Sequence, residues 1–249
     1  MRSARLLLSL VAISWVLSSC ASSSWTGMGW GRSWFEGWGS SSELSAEQQV
    51  TSLLYEYSDD YRLRMGTPIA QAGTVITHTY PESSLGNLIA DAMRFRATRH
   101  MREFIHASVL EDGSIFMFLD EGIITRGDLI EMLPYESELI VVKLNGDKIV
   151  QLAEEMADRE IKVMSGMRLT KGPNGLQSVL IDRSTADPDQ TYWVATSDWL
   201  ANGNGPFPAL WNAPERVETG LFIRDVVEEA ISLQRMVSPV LDQRVMIRR

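Results

Sequence analysis

Apolar residues at helical spacing open the legible part of the chain. Val50, Leu53, Leu54, Tyr57 and Tyr61 stand at the first, fourth, fifth, eighth and twelfth positions of a run. That pattern predicts an amphipathic helix from Ser45 to about Arg64, started by the capping pair Ser45 and Gln48. Gly66-Thr67-Pro68 stops it, and Ile69 to Thr79 reads as extended, with Val75 and Ile76 inside. Ser84 is expected to cap a second helix. Its stripe of Leu85, Leu88, Ile89, Ala92 and Met93 faces inward, while Arg94, Arg96 and Arg99 face out. Phe104 to Val109 reads as a strand and Leu110 to Gly122 as a loop.

The segment from Gly122 to Leu144 carries the densest signals. Thr125 and Asp128 form a threonine–x–x–acid pair suited to capping a first helical turn. Leu129, Ile130 and Leu133 give that helix one apolar face, and Pro134 ends it. A turn, Tyr135-Glu136-Ser137-Glu138, leads into the apolar β-branched run Leu139–Leu144, which the dipeptide Asn145-Gly146 closes. Asp147 to Met156 follows as a short helix, with strands at Ile161–Leu169, Leu176–Ile181 and Tyr192–Thr196. Thr219 is expected to cap a last helix faced by Phe222, Ile223, Val226, Val227, Ala230 and Ile231. Helices and short strands in mixed order imply an α+β (mixed α/β) class in one domain.

Before residue 45 the pattern changes character. Arg2 and Arg5 precede an apolar run from Leu6 to Leu17, too short for a comfortable membrane span and shaped like a signal peptide over residues 1–19. Leu17-Ser18-Ser19-Cys20 looks like a bacterial lipobox, with Cys20 as the lipidated residue; the alternative is an ordinary secretory signal that happens to end in cysteine. Cys20 is the only cysteine of the 249-residue chain, so no internal disulfide can form. Ala21 after the cysteine resembles the outer-membrane choice of Gram-negative lipoproteins. Residues 20–44 are rich in serine and glycine, with Trp25, Trp30, Trp34 and Trp38 interspersed. They read as a tether, or as a segment lying in the membrane interface. The formal charge of -9 argues against nucleic acid as a partner, because tracking phosphates needs a basic excess.

Catalytic templates are scarce. A two-metal phosphate site needs several histidines and carboxylates converging on its cations. Only His78, His100 and His106 are available, without ligand spacing. No metal ligand set and no catalytic residue is therefore expected in this chain. Neither a Gly-x-Ser-x-Gly elbow nor a Gly-x-x-x-x-Gly-Lys loop occurs. The adjacent acids Asp59-Asp60, Glu111-Asp112, Asp120-Glu121 and Glu154-Glu155 read as solvated charge.

Several blocks, in order, resemble the C-terminal domain of bacterial 5′-nucleotidases. Glu82-Ser83-Ser84-Leu85-Gly86-Asn87-Leu88-Ile89-Ala90-Asp91-Ala92 is close to that family's E-(T/S)-x-L-G-N-L-I-A-D-A signature. The Gly122–Leu144 stretch follows its helix, Pro-aromatic turn and strand, with Pro134-Tyr135-Glu136-Ser137 for Pro-Phe-Gly-Asn. Thr191 to Ala201 follows Y-x-V-A-T-x-D-F-L-A, and Met164-Ser165-Gly166-Met167 looks like a Ser-Gly turn beside the ligand. Gly220 to Ile231 and Gln243-Arg244-Val245 also match in place. The resemblance covers residues 45–249 and implies a single domain with helices packed on a mixed sheet.

What the resemblance implies for the site is mixed. Tyr135 and Trp199 fall on the two family aromatics that sandwich a nucleotide base, although both could equally be plain core aromatics. Gly166 would let backbone approach the ligand, and Ser137 and Asn204 would offer neutral hydrogen bonds. Phe116 stands in place of a substrate-contacting arginine, Thr79 in place of another, and Gly205 in place of the aspartate that holds ribose.

The function so implied is a lipid-anchored nucleotide-recognition domain in the bacterial cell envelope, facing periplasm or surface from the outer membrane. It would bind a nucleotide or nucleoside-like molecule and act in nucleotide catabolism with a separately encoded metallophosphoesterase. That partner, not this chain, would carry the divalent metal pair. The alternative is a non-enzymatic envelope lipoprotein that uses the fold to bind a ligand or protein.

Overall fold

A computed structural model describes residues 46–234 and 236–248. Contacts divide the chain into two units, Met1–Ser52 and Leu53–Arg249. The signal peptide, Cys20 and the tether expected over residues 20–44 lie outside the described residues.

The first helix among the described residues, α1, runs Ala46–Met65, one residue along from its expected span. Its apolar residues do not face a core: Val50, Leu53, Leu54, Tyr57 and Tyr61 are all exposed. Strand β1 (Pro68–Ala72) pairs antiparallel with β3 (Gly122–Thr125). The extended stretch after β1 buries Ile76 but leaves Val75 exposed, contrary to expectation.

Helix α2 (Ser84–Met101) buries Leu85, Leu88, Ile89, Ala92 and Met93, as its spacing requires. Its cap is Ser83, whose Oγ accepts from the Gly86 N–H at 2.8 Å. Ser84, the expected cap, instead accepts from Thr77 N–H at 3.0 Å. Arg94 does not face out either: it donates to the Ile105 carbonyl at 2.9 Å. The capping box before α3 (Arg126–Met132) forms as read, with Asp128 Oδ2 accepting from Thr125 N–H at 2.7 Å.

Strands β2 (Ala107–Leu110), β4 (Glu138–Asn145), β5 (Val163–Ser165), β9 (Thr191–Ser197) and β10 (Glu215–Phe222) form a mixed sheet ordered β10-β4-β9-β2-β5. Its interior strand β4 is apolar without alternation from Leu139 to Val142 because both sheet faces are covered. Leu139 and Val141 join one core with α2 and with α6 (Ile223–Ser232). Ile140, Val142 and Leu144 join the other with α4 (Gly146–Ala157). That second core also takes in β6 (Met167–Gly172) and β7 (Gly175–Ile181), which pair within a second sheet ordered β11-β6-β7-β8. Its edge strands are β8 (Ser184–Thr185) and β11 (Val245–Ile247).

Three further local expectations are corrected. Asn145-Gly146 is not a free turn: Asn145 Oδ1 caps α4 by accepting from Lys148 N–H at 2.9 Å. Gly146 is required because a Cβ there would stand 2.0 Å from the Asp187 carbonyl oxygen. The strand expected over Ile161–Leu169 is broken into β5 and β6 at Gly166, whose φ is +74°. Thr219 caps no helix but sits in β10, donating to the Leu139 carbonyl at 2.6 Å.

Candidate functional site

Sheet register brings three loops to one end of the main sheet. β2 and β9 run parallel, so the loop after Leu110 and the turn after Ser197 leave on the same side. β4 is antiparallel to β9 with Leu139 opposite Ser197, so the turn Pro134–Ser137 enters β4 there too. A crevice outside the carboxyl ends of parallel strands is where open sheets commonly bind ligands. Here those loops enclose a cleft of about 630 Å³, in the size range of small-molecule sites.

Tyr135 and Trp199 both line this cleft, and Ser137 joins them. Neither ring is core: Tyr135 is 59% and Trp199 43% exposed. Phe116 does not line the cleft but meets Tyr135 edge-on, with ring centroids 5.4 Å apart. The structure therefore brings three of the five candidate ligand-binding residues together and separates the other two.

Gly166 is not at this end of the sheet. Ser165 stands opposite Ser108, which leaves Gly166 beside His106 and Ala107 at the amino end of β2, while the cleft's Glu111 follows its carboxyl end. A Cβ on Gly166 would lie 2.0 Å from the His106 carbonyl oxygen, so this glycine serves strand packing. Asn204 lies outside the lining as well, its backbone N–H donating to the Trp199 carbonyl at 3.3 Å.

The next residue matters more. Gly205 has φ +70°, and a Cβ there would come within 2.3 Å of Trp199 Cζ3 and 2.8 Å of Leu200 Cδ2. Backbone of this loop thus packs closely against the indole, and only glycine leaves room for both Trp199 and Leu200. Trp199 itself sits in the short helix α5 (Asp198–Ala201), capped by Ser197 Oγ, which accepts from Leu200 N–H at 3.3 Å.

Acids were missed as cleft residues. Glu111, Glu136 and Asp198 line the cleft with the rings. Asp198 Oδ1 accepts from Glu138 N–H at 3.1 Å, and Glu136 meets Arg224 at 3.6 Å. Burial pushes the Glu111 carboxyl up, neighbouring Asp112 adds to the rise, and Arg159 opposes it. The sequence signal was the Glu111-Asp112 pair, which looked like solvated charge; its loop's position at the end of β2 turns it inward. Nearby, His78 Nδ1 lies 2.9 Å from Ser83 Oγ, and burial lowers its pKa against the pull of Asp112. Among the described residues no group of three or more His, Cys, Asp or Glu is placed to hold a metal ion.

Comparison with known proteins places this geometry. A family model described as the C-terminal domain of 5′-nucleotidase matches residues 64–211. Protein UshA of Yersinia enterocolitica is 24% identical over 189 residues, covering 70% of this chain and 34% of that protein. An apyrase of Anopheles gambiae is 29% identical over 179 residues, 65% of this chain and 31% of its own length. Among solved structures, a 5′-nucleotidase precursor from Thermus thermophilus superposes with TM-score 0.70 at 23% identity, over 81% of this chain and 43% of its own. The fold is therefore shared, and this chain spans about a third of the length of these curated relatives.

Proposed function

The chain belongs to the 5′-nucleotidase C-terminal domain family, and on that footing we propose that it is a lipid-anchored ligand-recognition domain of the bacterial envelope. Tyr135 and Trp199 hold the planar part of a nucleotide or nucleoside, with Ser137 beside them. Cys20 carries the lipid, and a separately encoded metallophosphoesterase supplies the metal pair and the hydrolytic chemistry in nucleotide catabolism. The observation that carries this reading is two exposed aromatic rings, one on the turn before β4 and one on the short helix α5, lining one cleft of about 630 Å³. Aromatic rings grouped at the wall of a cleft of this size are the kind of surface that small-molecule ligands cover. Stacking also suits a base, since every base has a π-face.

The test is titration of the purified chain with nucleosides and nucleotides, followed by tryptophan fluorescence and repeated in Trp199→Ala. Saturable quenching that vanishes in the variant supports the ring pair; a flat response across the panel removes it. Nucleotide hydrolysis by the candidate phosphoesterase, unchanged when this chain is added, would remove the partnership. Cys20→Ala should release the chain from the membrane, and retention would exclude the lipid anchor.

The acidic lining favours a second reading, a non-enzymatic lipoprotein that keeps the cleft for another ligand. An adjacent reading frame with Asp-x-His and Gly-Asn-His motifs would favour the partnership over it.

A further inference from the structure

At the amino end of β2, away from the aromatic cleft, a recess of about 320 Å³ gathers four arginines. Each comes from a different segment: Arg94 from α2, Arg168 from β6, Arg183 from the turn between β7 and β8, and Arg244 from the residues before β11. The Asp182 N–H donates to the Gly166 carbonyl at 3.2 Å, which ties that turn to the start of β6. Three carboxylates line the recess as well, so pairing decides its charge. Arg244 takes up two of them, donating to Asp91 and to Asp242 at 2.7 Å each. Asp182 is left against Arg94, Arg168 and Arg183, a local excess of positive charge on a chain of formal charge -9.

The side chains of Arg168 and Arg183 make no hydrogen bond or ion pair among the described residues. Arg94 points to an anion on separate grounds. It is half-buried and fixed by neutral groups alone. Nε donates to the Ile105 carbonyl at 2.9 Å, Nη1 donates to Ser165 Oγ at 3.4 Å, and the guanidinium lies 5.5 Å from the Phe104 ring centroid. None of these partners cancels its charge. A cation drawn partly out of water without a carboxylate is costly until an anion joins it. Ser165 is buried, and its own hydroxyl proton goes to no acceptor among the described residues.

We propose that this recess binds a phosphate group, free or on a small monoester, through Arg94, Arg168 and Arg183. A guanidinium presents a rigid fork of donors that matches phosphate oxygens. A carboxylate offers two oxygens in one plane, whereas a phosphate offers oxygens in several directions, which suits donors arriving from a helix, a strand and a turn. Leu180, opposite Arg168 across β6 and β7, gives the carbon part of an ester an apolar contact. The site shares no residue with the cleft of Tyr135 and Trp199 and stands or falls independently of it.

Isothermal titration calorimetry of the full-length chain in detergent tests it with inorganic phosphate, glycerol 3-phosphate, glycerol and acetate. Both phosphates should bind saturably, acetate about tenfold more weakly, and glycerol not at all. Glycerol 3-phosphate binding more tightly than phosphate marks an ester as the ligand, and equal binding marks the free ion. Arg168→Gln and Arg183→Gln, both exposed and with no partner to lose, should leave thermal unfolding unchanged. Each should weaken phosphate about threefold, the scale of one exposed charge contact, and the double variant about tenfold. Arg99→Gln, on the same helix as Arg94 but outside the lining, removes the same charge and should leave binding as it is. Absence of binding by both phosphates, or acetate as tight as phosphate, would overturn the proposal. So would phosphate binding that the double variant keeps intact, or that Arg99→Gln weakens as much.

Discussion

Gly205 offers the sharpest test of how the cleft is built. Gly205→Ala introduces two separable costs. The first is a left-handed backbone: at φ +70° an alanine loses about 1 kcal/mol relative to glycine. The second is collision, since the new methyl would lie 2.3 Å from Trp199 Cζ3 and 2.8 Å from Leu200 Cδ2. Leu200 is fully buried and cannot retreat, so the indole must swing out or the loop must lift. Overpacking of this kind costs about 1–3 kcal/mol. Gly220 supplies the matched control: its φ is +67°, and a Cβ there meets nothing within 4 Å. Gly220→Ala should therefore lose only about 1 kcal/mol. Gly205→Ala should lose about 2–4 kcal/mol in urea unfolding. It should also weaken any ligand that stacks on Trp199, while Gly220→Ala leaves that affinity unchanged. Equal stability losses in the two variants would refute the packing of this loop against the indole.

Three further outcomes follow from charge and burial. Glu111 has a folded-state pKa raised above its ordinary 4.5, so its contribution is full below that value and is lost as pH rises through the folded pKa. Glu111→Gln should then be more stable than the parent at neutral pH and no more stable below about pH 4; a gain independent of pH would exclude desolvation of the carboxyl as its cause. His78 is shifted the other way, below its ordinary 6.5, so stability present above that value is lost as pH falls toward the folded pKa. His78→Gln should flatten part of the acid-side fall in melting temperature, His106 carrying another part because burial lowers it too; an unaltered profile would sink this assignment. Arg244 is buried and donates at 2.7 Å to Asp91, Asp242 and the Met164 carbonyl. Arg244→Met should cost about 2–3 kcal/mol in denaturant melts, since the two aspartates can turn to water but the carbonyl cannot; a loss under about 0.5 kcal/mol would show these bonds to be idle.

What was legible in the sequence shares one property: the signal and its cause lie within a few residues. The Thr125–Asp128 capping box and the stripe of α2 from Leu85 to Met93 are of this kind, and both form. Leu139–Leu144 was readable for another reason, since a strand covered on both faces is apolar at almost every position, Lys143 near its end being the exception. β10 escaped because it is an edge strand with one neighbour, β4, and five of its eight residues are exposed, Glu215, Arg216 and Glu218 among them. Thr219 then looked like a helix cap, when its hydroxyl is spent across the sheet on Leu139.

The site divides along the same line. Tyr135, Ser137 and Trp199 could be found because each sits in a block whose local pattern names its place. Gly166 could not, because a glycine of positive φ reads alike whether a ligand or a neighbouring carbonyl approaches it, and only the β2–β5 register decides for the His106 carbonyl. The acids were hidden by the reverse problem. Glu111-Asp112 and Glu136 have the local signature of solvated surface, and nothing near them in sequence says that β2, β4 and β9 open at one end of the sheet. The charge of a binding cleft is a property of strand direction as much as of residue type. Reversing the sense of β2 alone would carry Glu111 to the end of the sheet where Gly166 now lies and leave the two rings with one acid fewer.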